Sequence, residues 1–427
     1  MHLPMCNTPL MPDSLKVRLG LMMFVNYIVW GAWYVTISTY LTSTLHFSGT
    51  QTGAIFGTTA LAALISPFFV GLVADRLFAT EKVMAVLYGI GAILMYAITQ
   101  VTTFPAVYTL VLLFCLSYFP TISLTNSITM QSLKDPGRDF PPIRVMGTLG
   151  WIFIGLVVGF MKVETSTTPF LLAAGAAVVM CIISLTILPH TPPKAKGSNV
   201  AVRDILGLDA LAMMKDRSFL IFVIASVLAC VPLTFYYSFT NTYLNEVGVE
   251  NAAGKMTLGQ ISETAVMLAM PLIFRLVSVR GVLLIGLLSW AVRYMLLAYG
   301  DPGPGMWMFY TAIILHGVCY DFFFVTGQLY TDQEAPAHLR STAQGFITFL
   351  TYGVGMLVGS LLSGYFVDYF TTTVAGQVIR NWRGFWMSSA SMSFVIMLLV
   401  LLFFRSNEKI RPKVAVTATA APSDVRG

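Results

Sequence analysis

The chain has 427 residues, 56% of them hydrophobic and only 10% charged, with a mean hydropathy of +0.77. A soluble domain carries about 25% charge, and a soluble chain this apolar would expose more greasy surface than water tolerates, so the composition excludes that class and points to an all-α membrane protein. The formal charge of +6 gathers in loops assigned below to one side of the membrane, and no Lys/Arg run with interleaved aromatics accompanies it, so a nucleic-acid partner is not expected.

The polar segment from Met1 to Lys16 leads into an apolar stretch from about Leu19 to Leu45. That stretch is too long for a signal-peptide core and has no small-residue cleavage pattern behind it, so it is expected to stay as the first helix. A membrane span needs about 20 mainly apolar residues. Twelve candidates follow in order: 17–43, 51–74, 82–101, 104–128, 142–162, 167–188, 218–245, 257–276, 281–299, 305–331, 338–366 and 381–405. Pro120 and Pro232 interrupt the fourth and seventh, which is tolerated where neighbours or a cavity satisfy the freed backbone groups.

The longest polar interruption, Pro189 to Arg217, contains Pro192-Pro193, Lys194 and Lys196 and then the amphipathic stretch Val202 to Lys215. It separates six spans from six. The expected organisation is an N-terminal six-helix half (1–190), a cytoplasmic linker (191–217), a C-terminal six-helix half (218–405) and a cytoplasmic tail (406–427). Two such halves joined by a charged loop resemble the plan of the major facilitator superfamily.

Orientation follows from Lys and Arg. One set of loops carries most of them, from Lys16 and Arg18 to Lys409, Arg411 and Lys413, whereas the opposite set holds Lys162, Lys255, Arg380 and Arg383. The asymmetry is about fourfold and places both termini in the cytoplasm. Small-xxx-small pairs, Gly53/Gly57, Gly155/Gly159 and Gly355/Gly359, mark the second, fifth and eleventh spans as sites of close helix crossing. The five cysteines form no CxxC or CxxxC pair, so neither a metal site nor a disulfide framework is expected, and no cofactor motif is present.

Ionisable groups inside spans each cost roughly 2.5–3.5 kcal/mol at mid-helix on insertion scales and need a reason. Glu263 lies one turn from Gln260, so a carboxylate and an amide share one helix face; Glu263 is a candidate proton carrier, or else a structural partner of an Arg. His316 and Tyr320 are four residues apart on the tenth span, and Asp321 is displaced about 100° from Tyr320 toward a neighbouring helix. Arg144, Thr148 and Trp151 form one stripe on the fifth span, either a polar and stacking wall or a snorkelling Arg at the cytoplasmic boundary. Arg293 would neutralise a carboxylate. Asp75 and Arg76, at the end of the second span, are gating candidates, with a solvated turn as the alternative. No catalytic constellation appears, so an enzyme is not expected.

Several segments carry a specific likeness. Phe140-Pro141-Pro142-Ile143-Arg144-Val145-Met146-Gly147-Thr148-Leu149-Gly150, Gly207-Leu208-Asp209-Ala210, Gln260-Ile261-Ser262-Glu263, Tyr320-Asp321-Phe322-Phe323, Trp30-Gly31-Ala32-Trp33 and Ala343-Gln344-Gly345 resemble, in order and across nearly the whole chain, the bacterial nucleoside:proton symporter family. The resemblance implies a major facilitator fold, nucleosides and protons as the transported partners, and a multi-pass protein of the bacterial inner membrane, functional as a monomer. It implies that Arg144, Thr148, Gln260 and Glu263 line a nucleoside site and that Asp321 takes part in coupling, as Glu263 is also expected to. Trp151 and Tyr320 stand where the family has Phe, which keeps an aromatic at each position. Thr234 and Tyr237 stand in place of a Gln and an Asn, and His316 in place of a Tyr, so these three also enter the expected substrate set. Another small polar solute such as a sugar or drug, or a non-transporting membrane sensor, are the alternatives.

Overall fold

The computed structural model describes residues 13–69, 78–192 and 207–405. The gating candidates Asp75 and Arg76, the tail 406–427 and most of the central linker lie outside the described residues.

In chain order the helices are α1 (Asp13–Tyr34, prolonged by Ile37–Thr39 and a π-turn, Tyr40–Thr44), α2 (Gly49–Phe69), α3 (Thr80–Ile98), α4 (Phe104–Ser132), α5 (Pro136–Met161) and α6 (Thr168–Thr186). After a 3-10 segment, Leu208–Lys215, come α7 (Arg217–Glu246), α8 (Ala252–Leu276), α9 (Val279–Tyr299), α10 (Met306–Glu334), α11 (Ala337–Tyr369) and α12 (Trp382–Phe403). Eleven of these are long and apolar enough to cross a membrane among the described residues, and α2, 21 residues long, completes the set. The exposure pattern is that of a lipid-facing bundle. Phe160 is 86% and Leu268 79% exposed, while Asn26, Thr39, Arg293 and Asp321 are each 0% exposed. Apolar side chains cover the outside, and polar ones are buried within an interior that is itself largely apolar.

Most ends fall within a few residues of those read from the sequence. Two helices begin earlier than hydropathy alone indicates. α5 starts at Pro136, because the Asp135 side chain accepts from the Arg138 N–H and caps it. α8 starts at Ala252, where the Glu164 carboxylate accepts from the Ala253 N–H at 2.9 Å. In both, the polar first turn dilutes the apolar signal. Pro120 and Pro232 sit inside continuous helices, and the Tyr294 hydroxyl donates to the Pro232 carbonyl. An antiparallel hairpin, β1 (Thr371–Val374) and β2 (Gln377–Arg380), joins α11 to α12 and has no counterpart in the sequence reading. Within α10 and α11 the hydrogen bonding passes into π-turns at Asp321–Val325 and Phe349–Gly355, a departure concentrated at functional positions in helices.

Two large apolar cores form among the described residues, beside two small clusters. One draws on residues from Leu19 to Ile183 with Ala253 added; the other runs from Phe219 to Phe404 with Ala60 added. They meet along two pairs of helices. α2 crosses α11 so closely that a β-carbon on Gly53 would collide with the Ser360 carbonyl, and α5 crosses α8 with Gly159 against Gly254. Gly355 and Gly359 instead pack on Cys230 and Thr234 of α7, within the C-terminal group of helices.

Hydrogen bonds between the two groups gather at the end of the bundle opposite the start of α1 and the end of α12. Asp368, near the end of α11, accepts from the N–H groups of Gly49 and Thr50. Glu164, just beyond α5, accepts from Asn241 at 2.8 Å, Asn245 at 2.6 Å and the Ala253 N–H. Thr39 of α1 donates to Asn241 of α7 at 2.6 Å.

Candidate functional site

Between the two groups of helices lies a cavity of about 300 Å³, at the lower end of the range for small-molecule sites. Its walls are largely aromatic. α1 contributes Tyr27, Trp30 and Tyr34, α4 Phe119, α5 Trp151, α7 Tyr237, α10 Tyr320 and α11 Tyr352. Ring-to-ring contacts hold this lining in place: Trp30 stacks on Tyr118 at 5.1 Å and 10°, and Tyr34 packs against both Trp151 and Tyr237 at 6.2 Å. The hydroxyls of Tyr320 and Tyr352 are hydrogen-bonded to each other, joining α10 to α11. Offset and edge-on ring packing of this kind leaves flat apolar faces turned toward the cavity.

The polar groups reach the cavity from both sides. Arg144 and Thr148 project from α5, Thr59 from α2, and Gln260 and Glu263 from α8. Arg144 lies over the Tyr27 ring, 4.5 Å from its centroid. It is thereby turned inward, deciding between the two sequence readings in favour of a wall residue over a snorkelling one. The Glu263 side chain keeps 28% exposure, and no described guanidinium or ammonium forms an ion pair with it within 4 Å. Backbone packing fixes its position: a β-carbon on Gly317 would fall 2.6 Å from the Glu263 nitrogen, and the Ser262 hydroxyl donates to the Ile314 carbonyl at 2.5 Å. α8 and α10 are therefore clamped where the carboxylate emerges.

Of the residues singled out from the sequence, Arg144, Thr148, Trp151, Tyr237, Gln260, Glu263 and Tyr320 line this one cavity. Thr234 does not: it is 2% exposed, its hydroxyl donates to the Val231 carbonyl, and it packs beneath Gly359. His316 shares a face with Tyr320 but sits one turn away, buried between Tyr236 and Tyr237. Asp321 opens the π-turn of α10, is fully buried, and has no protein hydrogen-bond partner for either carboxyl oxygen among the described residues. Arg293, expected to neutralise a carboxylate, forms no ion pair within 4 Å among the described residues; its guanidinium instead covers the Tyr236 ring at 3.4 Å. The wall residues that sequence reasoning passed over are chiefly Tyr27, Trp30, Tyr34, Phe119 and Tyr352. For α1 a signal existed, since positions 27, 30 and 34 fall on one helix face.

A helical bundle closed at one end, with a polar-and-aromatic cavity between two six-helix groups, defines a secondary transporter of the major facilitator type. Residues 13–409 match the family model described as nucleoside H+ symporter, and the chain belongs to that family. It is 42% identical over 403 residues to "Putative nucleoside transporter YegT" of Escherichia coli (strain K12), covering 92% of this chain and 94% of that protein. To the nucleoside permease NupG of the same organism it is 32% identical over 407 residues, 92% and 96% of the two chains. The crystal structure of nucleoside transporter NupG superposes with a TM-score of 0.84, covering 92% of this chain and 99% of the other.

Proposed function

We propose that this chain carries nucleosides together with protons across the bacterial inner membrane, by alternating access around the central cavity, and that one chain suffices. The observation that carries this reading is the meeting of Arg144 from α5 and Glu263 from α8 in a single aromatic-walled cavity between the two groups of helices. Family membership supplies the substrate class. The cavity supplies what a nucleoside requires: flat faces for a base and hydrogen-bonding groups for ribose hydroxyls and base edges.

In this reading Trp151 and Tyr237, with Tyr34 between them, hold the base. Gln260, Thr148 and Arg144 bond the sugar and the base edge. Glu263 takes up a proton before the halves rock, because moving a bare carboxylate through a closing seam is costly. With the termini in the cytoplasm, the bonded end of the bundle is the outer one, so the arrangement described is closed toward the outside.

A neutral nucleoside gains nothing from voltage alone. One co-moving proton gains about 2.3 kcal/mol per 100 mV, enough for roughly 50-fold accumulation. The test is uptake of labelled uridine into cells lacking their own nucleoside permeases. Uptake should rise in acid and collapse with a protonophore. Competition by a panel of sugars and drugs, with no competition by nucleosides, would instead assign a different small polar solute.

A further inference from the structure

Directly behind Glu263, away from the cavity, stands a guanidinium with an unusual partner. Arg293 is fully buried on α9. Its Nη1 lies 3.1 Å from Nδ1 of His316 on α10, and its carbon lies over the Tyr236 ring. An arginine only donates hydrogen bonds. Nδ1 of His316 must therefore accept, which leaves the ring's proton on Nε2 and the ring neutral. That Nε2 faces Glu263, with Oε2 3.7 Å away. The ring has little freedom to turn: Tyr236 stacks on it at 5.5 Å and 19°, and Tyr237 closes it edge-on at 5.8 Å and 75°.

We infer that His316 is a positioning residue for Glu263, held by Arg293 as an Nε2–H donor that draws the ionised carboxylate back from the cavity, and that it does not itself touch the cargo. The 3.7 Å gap is slightly longer than a hydrogen bond, and a small rotation of Glu263 closes it. Arg144 and Arg293 then compete for one carboxylate. Arg144 pulls it across the cavity toward the other half, while His316 and Arg293 hold it within its own. A protonated Glu263 accepts more weakly from the N–H donor and is freed to turn to the cavity, where cargo can meet it. Other titratable groups near enough to Glu263 to feel its charge are Tyr27 from α1, Tyr237 from α7, Tyr320 and Asp321 from α10 and Tyr352 from α11. None of these is an N–H donor backed by a permanent charge, as His316 is.

The inference rests on the proposed coupling through Glu263, and its test separates the two. His316→Phe keeps a ring and removes the donor; His316→Gln keeps an amide donor. Labelled uridine uptake is measured against pH for wild type and both variants, beside uridine exchange without a proton gradient. Loss of a hydrogen bond to the ionised form should raise the pH midpoint of uptake in His316→Phe by about one unit, with exchange retained, and His316→Gln should restore it. An unshifted midpoint in His316→Phe overturns the inference alone. Wild-type uptake indifferent to pH and protonophore overturns the coupling reading and the inference with it. Where His316→Phe fails to reach the membrane, nitrogen-15 spectra of the wild-type histidines decide, with His316→Gln as the difference. A neutral, Nε2-protonated ring between about pH 5 and 8 supports the assignment, and a ring that titrates or carries its proton on Nδ1 refutes it.

Discussion

Asp368 holds Thr50 twice, accepting from its backbone N–H at 2.7 Å and from its hydroxyl at 2.6 Å, and so caps the N-terminus of α2 from the end of α11. Glu164, just beyond α5, caps the N-terminus of α8 through the Ala253 N–H. In a fold of two like halves α2 corresponds to α8 and α5 to α11. The two carboxylates are thus equivalent latches, each reaching from one half to a helix start in the other, where the dipole favours negative charge. A hydrogen bond to a charged group is worth about 1.5–3 kcal/mol, so loss of these contacts should favour opening of this end.

Removing the charge of one latch should open that end more often. In Asp368→Asn, labelling of a cysteine placed at Thr59, in a background without native cysteines, by an impermeant thiol reagent added outside should increase about tenfold, corresponding to about 1.4 kcal/mol. Combining it with Glu164→Gln should increase it further. Unchanged labelling in the double variant would remove these residues from the gate.

Glu263→Gln should separate carriage from coupling. The amide keeps size and hydrogen bonding but cannot carry a proton. Accumulation of uridine should fall from roughly 50-fold toward equality across the membrane, while exchange of labelled for unlabelled uridine persists. Full concentrative uptake in this variant would pass the proton to another group, Asp321 first.

Trp151→Ala should weaken binding with little effect on insertion. Stacking of a base on an aromatic is worth about 1–3 kcal/mol, so KM for uridine should rise about 5- to 150-fold and Trp151→Phe should recover much of it. Uptake kinetics check both. An unchanged KM would place the base elsewhere in the cavity.

Gly53→Val tests the crossing of α2 and α11. The added side chain has no room beside Ser360 and Gly364, and overpacking of this kind costs about 1–3 kcal/mol. The variant should insert in the membrane yet transport poorly and melt at lower temperature in detergent. Normal transport and melting would show that the crossing relaxes freely.

Much of the molecule was legible in the chain itself, because a bilayer imposes a simple rule: about 20 apolar residues must run together, and polar groups among them need a purpose. That rule locates the helices, divides them six and six, and draws attention to Arg144, Gln260, Glu263 and Asp321, the first three of which line the cavity. It does not say which way a side chain faces once neighbours pack on it. His316 and Tyr320 share a helix face, yet only Tyr320 reaches the cavity, because Tyr236 and Tyr237 from α7 cover the histidine. Arg293 meets the His316 ring where sequence reasoning expected a carboxylate. The cavity, its aromatic lining from α1 and α4, and the paired carboxylates Asp368 and Glu164 join residues far apart in the chain, 77 positions for Glu164 with Asn241 and 319 for Asp368 with Gly49. Only the packing of one half on the other brings them together, since no local pattern records which helix lies beside which.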